Sequence, residues 1–268
     1  VNAARRSAAL VLCVCAALLT GCAASGTPEP ALPPVGAGFD YQLGGAYPPP
    51  DGVEIVARDR SAESLDDAYS ICYVNAFQTQ PGEQDDWPRD TLLSRDGEPV
   101  IDPDWPDEVL LDTSTPERRA AIAAIVTPWI EGCAAAGFDA VEFDNLDTFT
   151  RSDGALSAAG NIALASDLVA VAHRAGLAAA QKNAAEFAEL FSDDAGFDFA
   201  VTEECAAFDE CDAYTDVYGD HVLDIEYTDA LPRPFGQVCA DPAVPRSVVL
   251  RDRALAGPSD PGYVFELC

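Results

Sequence analysis

Asp139-Ala-Val-Glu-Phe-Asp-Asn-Leu-Asp147 packs four carboxylates into nine residues of what otherwise reads as a buried strand. Ala140, Val141 and Phe143 suit a strand covered on both faces, while the acids gather at and just past its C-terminal end, where parallel α/β folds place their chemistry. Phe199-Ala-Val-Thr-Glu-Glu-Cys205 repeats the form. Charge on a buried strand is costly unless it is used. One carboxylate from each strand is therefore expected to form a reactive pair.

Outward from these two stretches the same rhythm continues. Short apolar segments fall at 39–43, 53–57, 70–74, 140–143, 177–181, 197–201, 222–225 and 247–250, most of them followed by a helical or loop segment. That is the pattern of a parallel sheet built from βα units, and eight units predict a single-domain TIM-like (β/α)8 barrel. An open doubly wound sheet is the alternative, but no Gly-x-Gly-x-x-Gly follows any strand. Thr115-Pro116 opens a predicted helix over 116–136, apolar at Ile122, Ile125, Val126 and Trp129 and stopped by Gly137. A second, over 157–175, is apolar at Ile162, Leu164, Leu168, Val169 and Val171 and stops at Gly176, with His173 as a dipole-favoured cap. A shorter helix is expected over 186–191. The long loop 75–108 carries Trp87 and Trp105, which either stack on a sugar over the cleft or anchor the loop to the barrel.

The first residues divide from the rest. Arg5 and Arg6 precede an apolar run over 8–19 that is too short to span a bilayer, so 1–21 reads as a signal peptide. Leu19-Thr-Gly-Cys22 resembles the lipobox of bacterial lipoproteins, which makes Cys22 the expected lipidation site and anchor to the bacterial cell membrane; cleavage near Ala24 is the alternative. Residues 22–38 read as a Pro- and Gly-rich tether, and 39–268 as the folded domain. With 46 acidic against 15 basic residues the net charge is -31, which argues against nucleic acid and suits a cationic ligand, although a salt-tolerant exported surface has the same composition. Outside the signal and Cys22 six cysteines remain, Cys72, Cys133, Cys205, Cys211, Cys239 and Cys268, an even number that reads as disulfides in an oxidising compartment. Six cysteines permit fifteen connectivities, and the favoured expectation is local pairing of Cys205 with Cys211 and Cys239 with Cys268, leaving Cys72 for Cys133. Zinc is the weaker reading, with no Cys-x-x-Cys pair and with His173 and His221 isolated.

In a barrel the strand ends converge on one mouth. The acids there are Asp40, Asp59, Glu142, Asp144, Asp147, Glu203, Glu204, Glu226 and Asp252, with Lys182 and Asn183 at the fifth end. Glycoside hydrolysis needs this arrangement, one carboxyl to donate a proton to the leaving oxygen and a second, ionised, as base or nucleophile. Neighbouring carboxylates push their pKa values apart, so a cluster can supply both forms. Serine chemistry has no Gly-x-Ser-x-Gly elbow to support it. A hard-cation site from Glu142, Asp144 and Asp147 is the competing use of the same acids; the hydrolytic reading requires neither metal nor cofactor.

Phe39-Asp-Tyr-Gln-Leu-Gly-Gly45, Ile71-Cys-Tyr73, Trp87-Pro-Arg-Asp90, Trp105-Pro-Asp-Glu108, Leu111-Asp112, Gly137 through Asp147, Lys182-Asn183, Phe197 through Cys205, Glu210-Cys211 and Ile225-Glu-Tyr227 together resemble glycoside hydrolase family 114, in the family's order. The resemblance implies a TIM-like barrel and endo-acting cleavage of α-1,4-linked polygalactosamine, a cationic amino-sugar polysaccharide. It also implies Asp144 and Glu203 as the acidic pair, with Glu203 as proton donor and Asp144 as base or nucleophile, the roles being exchangeable. Asp40, Tyr41, Gln42, Asp147, Lys182, Asn183, Glu226 and Tyr227 would line the sugar site of a monomeric enzyme. Two stretches depart from the family pattern: Thr202-Glu-Glu-Cys205 stands where Asn-Glu-Gln-Cys is usual, and Tyr73-Val-Asn-Ala-Phe-Gln-Thr-Gln-Pro-Gly-Glu83 replaces a smaller turn. A barrel lipoprotein that binds an amino-sugar polymer or a cation without cleaving it is the alternative.

Overall fold

The computed structural model describes residues 30–268. The expected signal peptide and Cys22 lie outside the described residues, as does the tether up to residue 29. The tether's last residues lie against the barrel: the Tyr69 hydroxyl donates to the Ala31 carbonyl at 2.7 Å, and Ala37 is buried.

Among the described residues eleven strands are formed: β1 (Gly38–Gln42), β2 (Val53–Asp59), β3 (Tyr69–Asn75), β4 (Ser94–Arg95), β5 (Glu98–Pro99), β6 (Ala140–Asp144), β7 (Ala178–Lys182), β8 (Phe199–Glu203), β9 (Val222–Tyr227), β10 (Ser247–Arg251) and β11 (Phe265–Leu267). β4 and β5 make a small hairpin inside the long loop. The other nine form one sheet in the order β1-β2-β3-β6-β7-β8-β9-β10-β11, parallel from β1 to β10. These eight parallel strands are the eight expected from the sequence, and β11 adds antiparallel to β10.

The sheet curls into a nearly closed barrel. At the seam Arg251 of β10 reaches β1, donating to Asp40 Oδ1 at 2.8 Å and to the Tyr41 carbonyl, and both charged side chains are fully buried. Leu267 of β11 packs close to Gly38 and Gly52, where a side chain at Gly38 would collide with the Gly52 carbonyl.

The period of two along each strand divides the apolar residues into two layers. Phe39, Tyr41, Ile55, Ala57, Ile71, Ala140, Ala178, Ala180, Phe199, Val201, Leu223, Ile225 and Val249 fill the interior, a mixture of small and large side chains. Cys72, Val74, Val141, Phe143, Ala179, Ala200, Val222, Val248 and Leu250 point outward to the helices.

Among the described residues six α-helices surround the sheet: α1 (Pro116–Ala135), α2 (Ala158–Ala175), α3 (Ala188–Leu190), α4 (Cys205–Phe208), α5 (Cys211–Tyr218) and α6 (Phe235–Val238). Thr115 and Ser157 cap α1 and α2, each side-chain oxygen accepting a backbone N–H. Gly176 ends α2 in the left-handed conformation at φ 85. His173 stands in the last turn of α2, as expected for a dipole-favoured residue, and has a further partner. Its Nε2 lies 2.8 Å from Asp198 Oδ2, and that hydrogen bond raises its pKa, so the imidazole ties α2 to the start of β8. No helix among the described residues is long and apolar enough to cross a membrane.

The disulfides are Cys72–Cys133, Cys205–Cys211 and Cys239–Cys268. They join β3 to α1, α4 to α5, and the segment after α6 to the end of the chain.

Candidate active site

The two-residue period also decides which strand-end residues reach the mouth. Tyr41, Asp59, Tyr73, Asp144, Lys182, Glu203 and Tyr227 sit on the inward face near the C-terminal ends of β1, β2, β3, β6, β7, β8 and β9, and all seven line one cleft of about 510 Å³. Asn145, Asn183, Glu204, Trp105, Glu108 and Arg253 complete its walls from the loops above.

Lys182 stands at the centre. Its Nζ lies 2.7 Å from Glu203 Oε2 and 3.8 Å from Asp144 Oδ1, so these two carboxylate oxygens are within the sum of those distances, about 6.5 Å, of each other. Lys182 is also the only lysine in the chain, every other basic residue being arginine. A compact ammonium on a flexible stem can serve two carboxylates in turn, where a planar guanidinium would lock onto one.

Each carboxylate has further fixed partners. Glu203 accepts from the Tyr227 hydroxyl at 2.5 Å and from Asn183 Nδ2 at 2.9 Å, while its own backbone N–H donates to Asn183 Oδ1 at 2.8 Å. Asp144 accepts from the Tyr73 hydroxyl at 2.7 Å and from the Asn145 backbone N–H at 2.8 Å. Asn145, Asn183 and Glu204 all take positive φ values just past their strands. These kinks turn the chain sharply at the mouth and aim the neighbouring side chains into it.

The electrostatics follow from these contacts. Burial works to raise the pKa of Glu203, but the charge of Lys182 and the hydrogen bonds from Lys182, Tyr227 and Asn183 outweigh it and hold the carboxyl at about 2. Burial works to lower the pKa of Lys182, and Asp144, Glu203 and Glu142 together push it up instead. Glu142, one turn of the pleat below Asp144, is fully buried and accepts from the Tyr41 hydroxyl at 2.7 Å. Burial lifts it to about 8, against the opposing pull of Lys182, so it is neutral at pH 7 and lies beneath the cleft. Glu108 lines the cleft itself and is lifted to about 7, mainly by burial.

Of the residues singled out from sequence, Asp144, Glu203, Tyr41, Lys182, Asn183 and Tyr227 meet in the cleft. Four lie elsewhere. Asp40 and Gln42 alternate with Tyr41 and so leave the interior: Asp40 pairs with Arg251, and Gln42 donates to Asp40 and accepts from Arg58. Glu226 alternates with Tyr227 and points toward α4, accepting from the Ala206 N–H at 2.8 Å. Asp147 lies past the mouth in an ion pair with Arg151 at 2.6 Å. The acids weighed as a hard-cation site do not converge, since Glu142 bonds Tyr41, Asp144 bonds Tyr73 and Asp147 bonds Arg151. Cys205, Cys211 and Asp224 are close enough to hold a metal, but the two sulfurs are bonded to each other.

Trp105 and Trp87 part ways. Trp87 is buried edge-on against Trp129 and anchors its loop, whereas Trp105 is 61% exposed and lines the cleft. Tyr73, Glu108 and Arg253 had no assigned role in the sequence reading. Tyr73 was detectable, since it shares the inward face of β3 with Ile71; Glu108 and Arg253 arrive from loops whose paths no periodicity encodes.

With this geometry in hand, the comparison with known proteins is decisive: glycoside-hydrolase family GH114 matches residues 20–268. The chain belongs to that family. No curated protein sequence matches it. Among solved structures, Ega3 of Aspergillus fumigatus in complex with galactosamine superposes on this GH114 chain with a TM-score of 0.71 at 22% identity, covering 91% of this chain and 98% of that one. The glycoside hydrolase domain of PelA from Pseudomonas aeruginosa gives a TM-score of 0.56 at 13% identity, covering 85% and 96% respectively. At these identities the likeness is one of fold.

Proposed function

We propose that this GH114 chain is an exported, monomeric endo-hydrolase of α-1,4-linked galactosamine-containing polysaccharide, with Asp144 and Glu203 as its working carboxyls. The observation that carries the reading is the convergence of these two groups, from the fourth and sixth strands of the barrel, on the single ammonium of Lys182. An upper bound of about 6.5 Å admits the separation of about 5–5.5 Å at which the second carboxylate attacks the sugar directly and the configuration is retained, and that is the course proposed. Asp144 is then the nucleophile, both its oxygens held by donors. Glu203 is the proton donor and later the base that activates water. Its resting hydrogen bonds suit the second task; for the first it must take up a proton and loosen its contact with Lys182. The galactosamine bound to Ega3 supports an amino sugar as substrate.

Export by a lipoprotein signal with an anchor at Cys22 is part of the same proposal. Three disulfides in the folded domain support an oxidising compartment. The test is incubation with de-N-acetylated α-1,4-polygalactosamine, following chain length and product anomer by NMR. Internal cuts with retained configuration are expected, with a loss of at least about 100-fold in Glu203→Gln. Absence of products from the wild type overturns the reading, and cleavage unchanged in Glu203→Gln removes that residue from its role.

A further inference from the structure

The cleft is not uniformly acidic. On its β7 to β10 side every carboxylate has a cation: Glu203 has Lys182, and Glu204 is held by both Nη atoms of Arg253 at 2.8 and 2.7 Å, with that guanidinium stacked 4.3 Å over the Tyr227 ring. Asp144, at the middle, shares Lys182. On the β2 and β3 side the carboxyls are Asp59 and Glu108, and neither has an ion-pair partner among the described residues. Asp59 accepts from Ser61 and Gln80; Glu108 accepts from Asn75 Nδ2 at 3.0 Å. Trp105 begins the turn that Glu108 closes, the Glu108 N–H donating to the Trp105 carbonyl at 2.9 Å, and both side chains line the cleft.

We propose that the β2 and β3 half of the cleft is the subsite for an ammonium-bearing sugar ring, with Glu108 as the anion that selects it and Trp105 as its stacking face. Glu108 is thereby the specificity-determining residue for a deacetylated ring beside Asp144. The inference rests on the hydrolase reading for its biological sense, but the subsite chemistry stands on charge and position alone. An ammonium placed here gains an unpaired, mostly buried carboxylate as a charge-assisted hydrogen-bond acceptor, whereas an acetamide at the same place leaves that carboxylate desolvated and unmatched. On the opposite side the carboxylates of the cleft are already committed, Glu204 to Arg253 and Glu203 to Lys182.

A pH dependence follows. The charged groups facing Glu108 are Asp144, Asp102 and Arg151, and Arg151 is itself occupied by Asp102 and Asp147. Glu108 is neutral below about 7 and loses its hold on the ammonium there.

The test is calorimetric binding of galactosamine and N-acetylgalactosamine to the full chain at pH 7.5 and 5.5, with Glu108→Gln and Glu108→Asp alongside. Wild type is expected to prefer galactosamine about tenfold or more at pH 7.5, with the preference shrinking at pH 5.5, an advantage of the size expected for one charge-assisted bond. Glu108→Gln keeps an oxygen for Asn75 and is expected to lose the preference at both pH values, because the sugar amine titrates identically in both proteins and the difference belongs to Glu108. Glu108→Asp is expected to retain part of it. Trp105→Ala weakens both sugars alike. No preference in wild type, or one that survives in Glu108→Gln at an unchanged melting temperature, overturns the proposal. A preference without polymer cleavage leaves the subsite standing and removes the hydrolase reading; cleavage without a preference does the reverse.

Discussion

Replacing Lys182 by Met removes the ammonium that Asp144 and Glu203 share and leaves a side chain of similar length. Lys182 is the foremost influence holding Glu203 at about 2, against an ordinary value of 4.5. At about 2, only about one site in 1000 carries the proton at pH 5. The kcat/KM of the wild type, which reports the free enzyme, is therefore expected to climb toward acid pH if Glu203 is the donor. Without Lys182 the burial of Glu203 is no longer opposed by a cation, and its pKa returns to the ordinary carboxylate range or above it. The alkaline limb of kcat/KM then moves up by about two pH units. Glu203 keeps 28% of its side-chain surface exposed, and the Tyr227 and Asn183 hydrogen bonds persist, so the movement stops short of a deeply buried carboxyl's value. Heights of the two profiles are uninformative, because the variant also loses a charge that repels a cationic substrate; the positions of the limbs are the measurement. Profiles from pH 3 to 9 on a galactosamine oligomer decide it. If the acid limb moves toward neutrality and the alkaline limb stays, Glu203 works as the ionised partner and Asp144 as donor. If neither moves, Lys182 does not set the protonation of this pair, and the electrostatic argument fails.

Three further outcomes test how the barrel supports this site. Arg251→Met strips Asp40 of its buried partner at the β10 and β1 seam, and chemical denaturation is expected to show a loss of about 3–5 kcal/mol. Asp224→Asn is expected to stabilise the protein at pH 7.5 by more than at pH 4.5. Asp224 is buried against Glu226, and burial raises its pKa well above 3.8, so the folded chain holds more protons than the unfolded one as pH rises from 3.8 toward the folded value, and stability falls through that window. Asparagine keeps the acceptor used by Thr202 and Cys205 and does not titrate; thermal melts at the two pH values check it. Replacing both cysteines of Cys72–Cys133, which are 61 residues apart, is expected to cost about 4 kcal/mol, against about 2 kcal/mol for Cys205–Cys211, only 6 apart, because the longer loop constrains the unfolded chain more.

The barrel was legible because each parallel strand is a short apolar run buried on both faces, a signal carried by the residues themselves. The site was legible only to the depth of that signal. Taking β1 as the example, Phe39 and Tyr41 must face one way and Asp40 and Gln42 the other; once Tyr41 is placed inside, Asp40 and Gln42 cannot line the same cleft. The same alternation separates Tyr227 from Glu226, and Glu203 from the outward-facing Thr202. Strand-end chemistry alone nominates all of these residues; alternation sorts those within the strands, while Asn145, Asn183 and Glu204 reach the cleft beside inward neighbours because the chain takes a positive φ just past each strand. The seam could not be read this way. Arg251 joins Asp40 across 211 positions, a meeting set by closure of the sheet and not by any local pattern.

Charge was the more misleading signal, and the reason bears on how the enzyme chooses its substrate. A net charge of -31 suggests that a cationic polymer is drawn by the chain as a whole. In saline such attraction is screened beyond about 10 Å, so it raises encounter rates without telling one half of a cleft from the other. Discrimination needs an unpaired charge at a fixed place. Among the basic residues of the site, Lys182 is spent on Glu203 and Asp144, Arg253 on Glu204 and Asp229, and Arg151 on Asp102 and Asp147. These three cations hold six of the acids in and around the site. The carboxyls left over are Asp59 and Glu108, together over β2 and β3, and of these only Glu108 changes its charge near neutral pH. Selectivity for an amine should therefore vary with pH around 7, where Glu108 gains its charge, a dependence that the net charge of the whole chain does not predict.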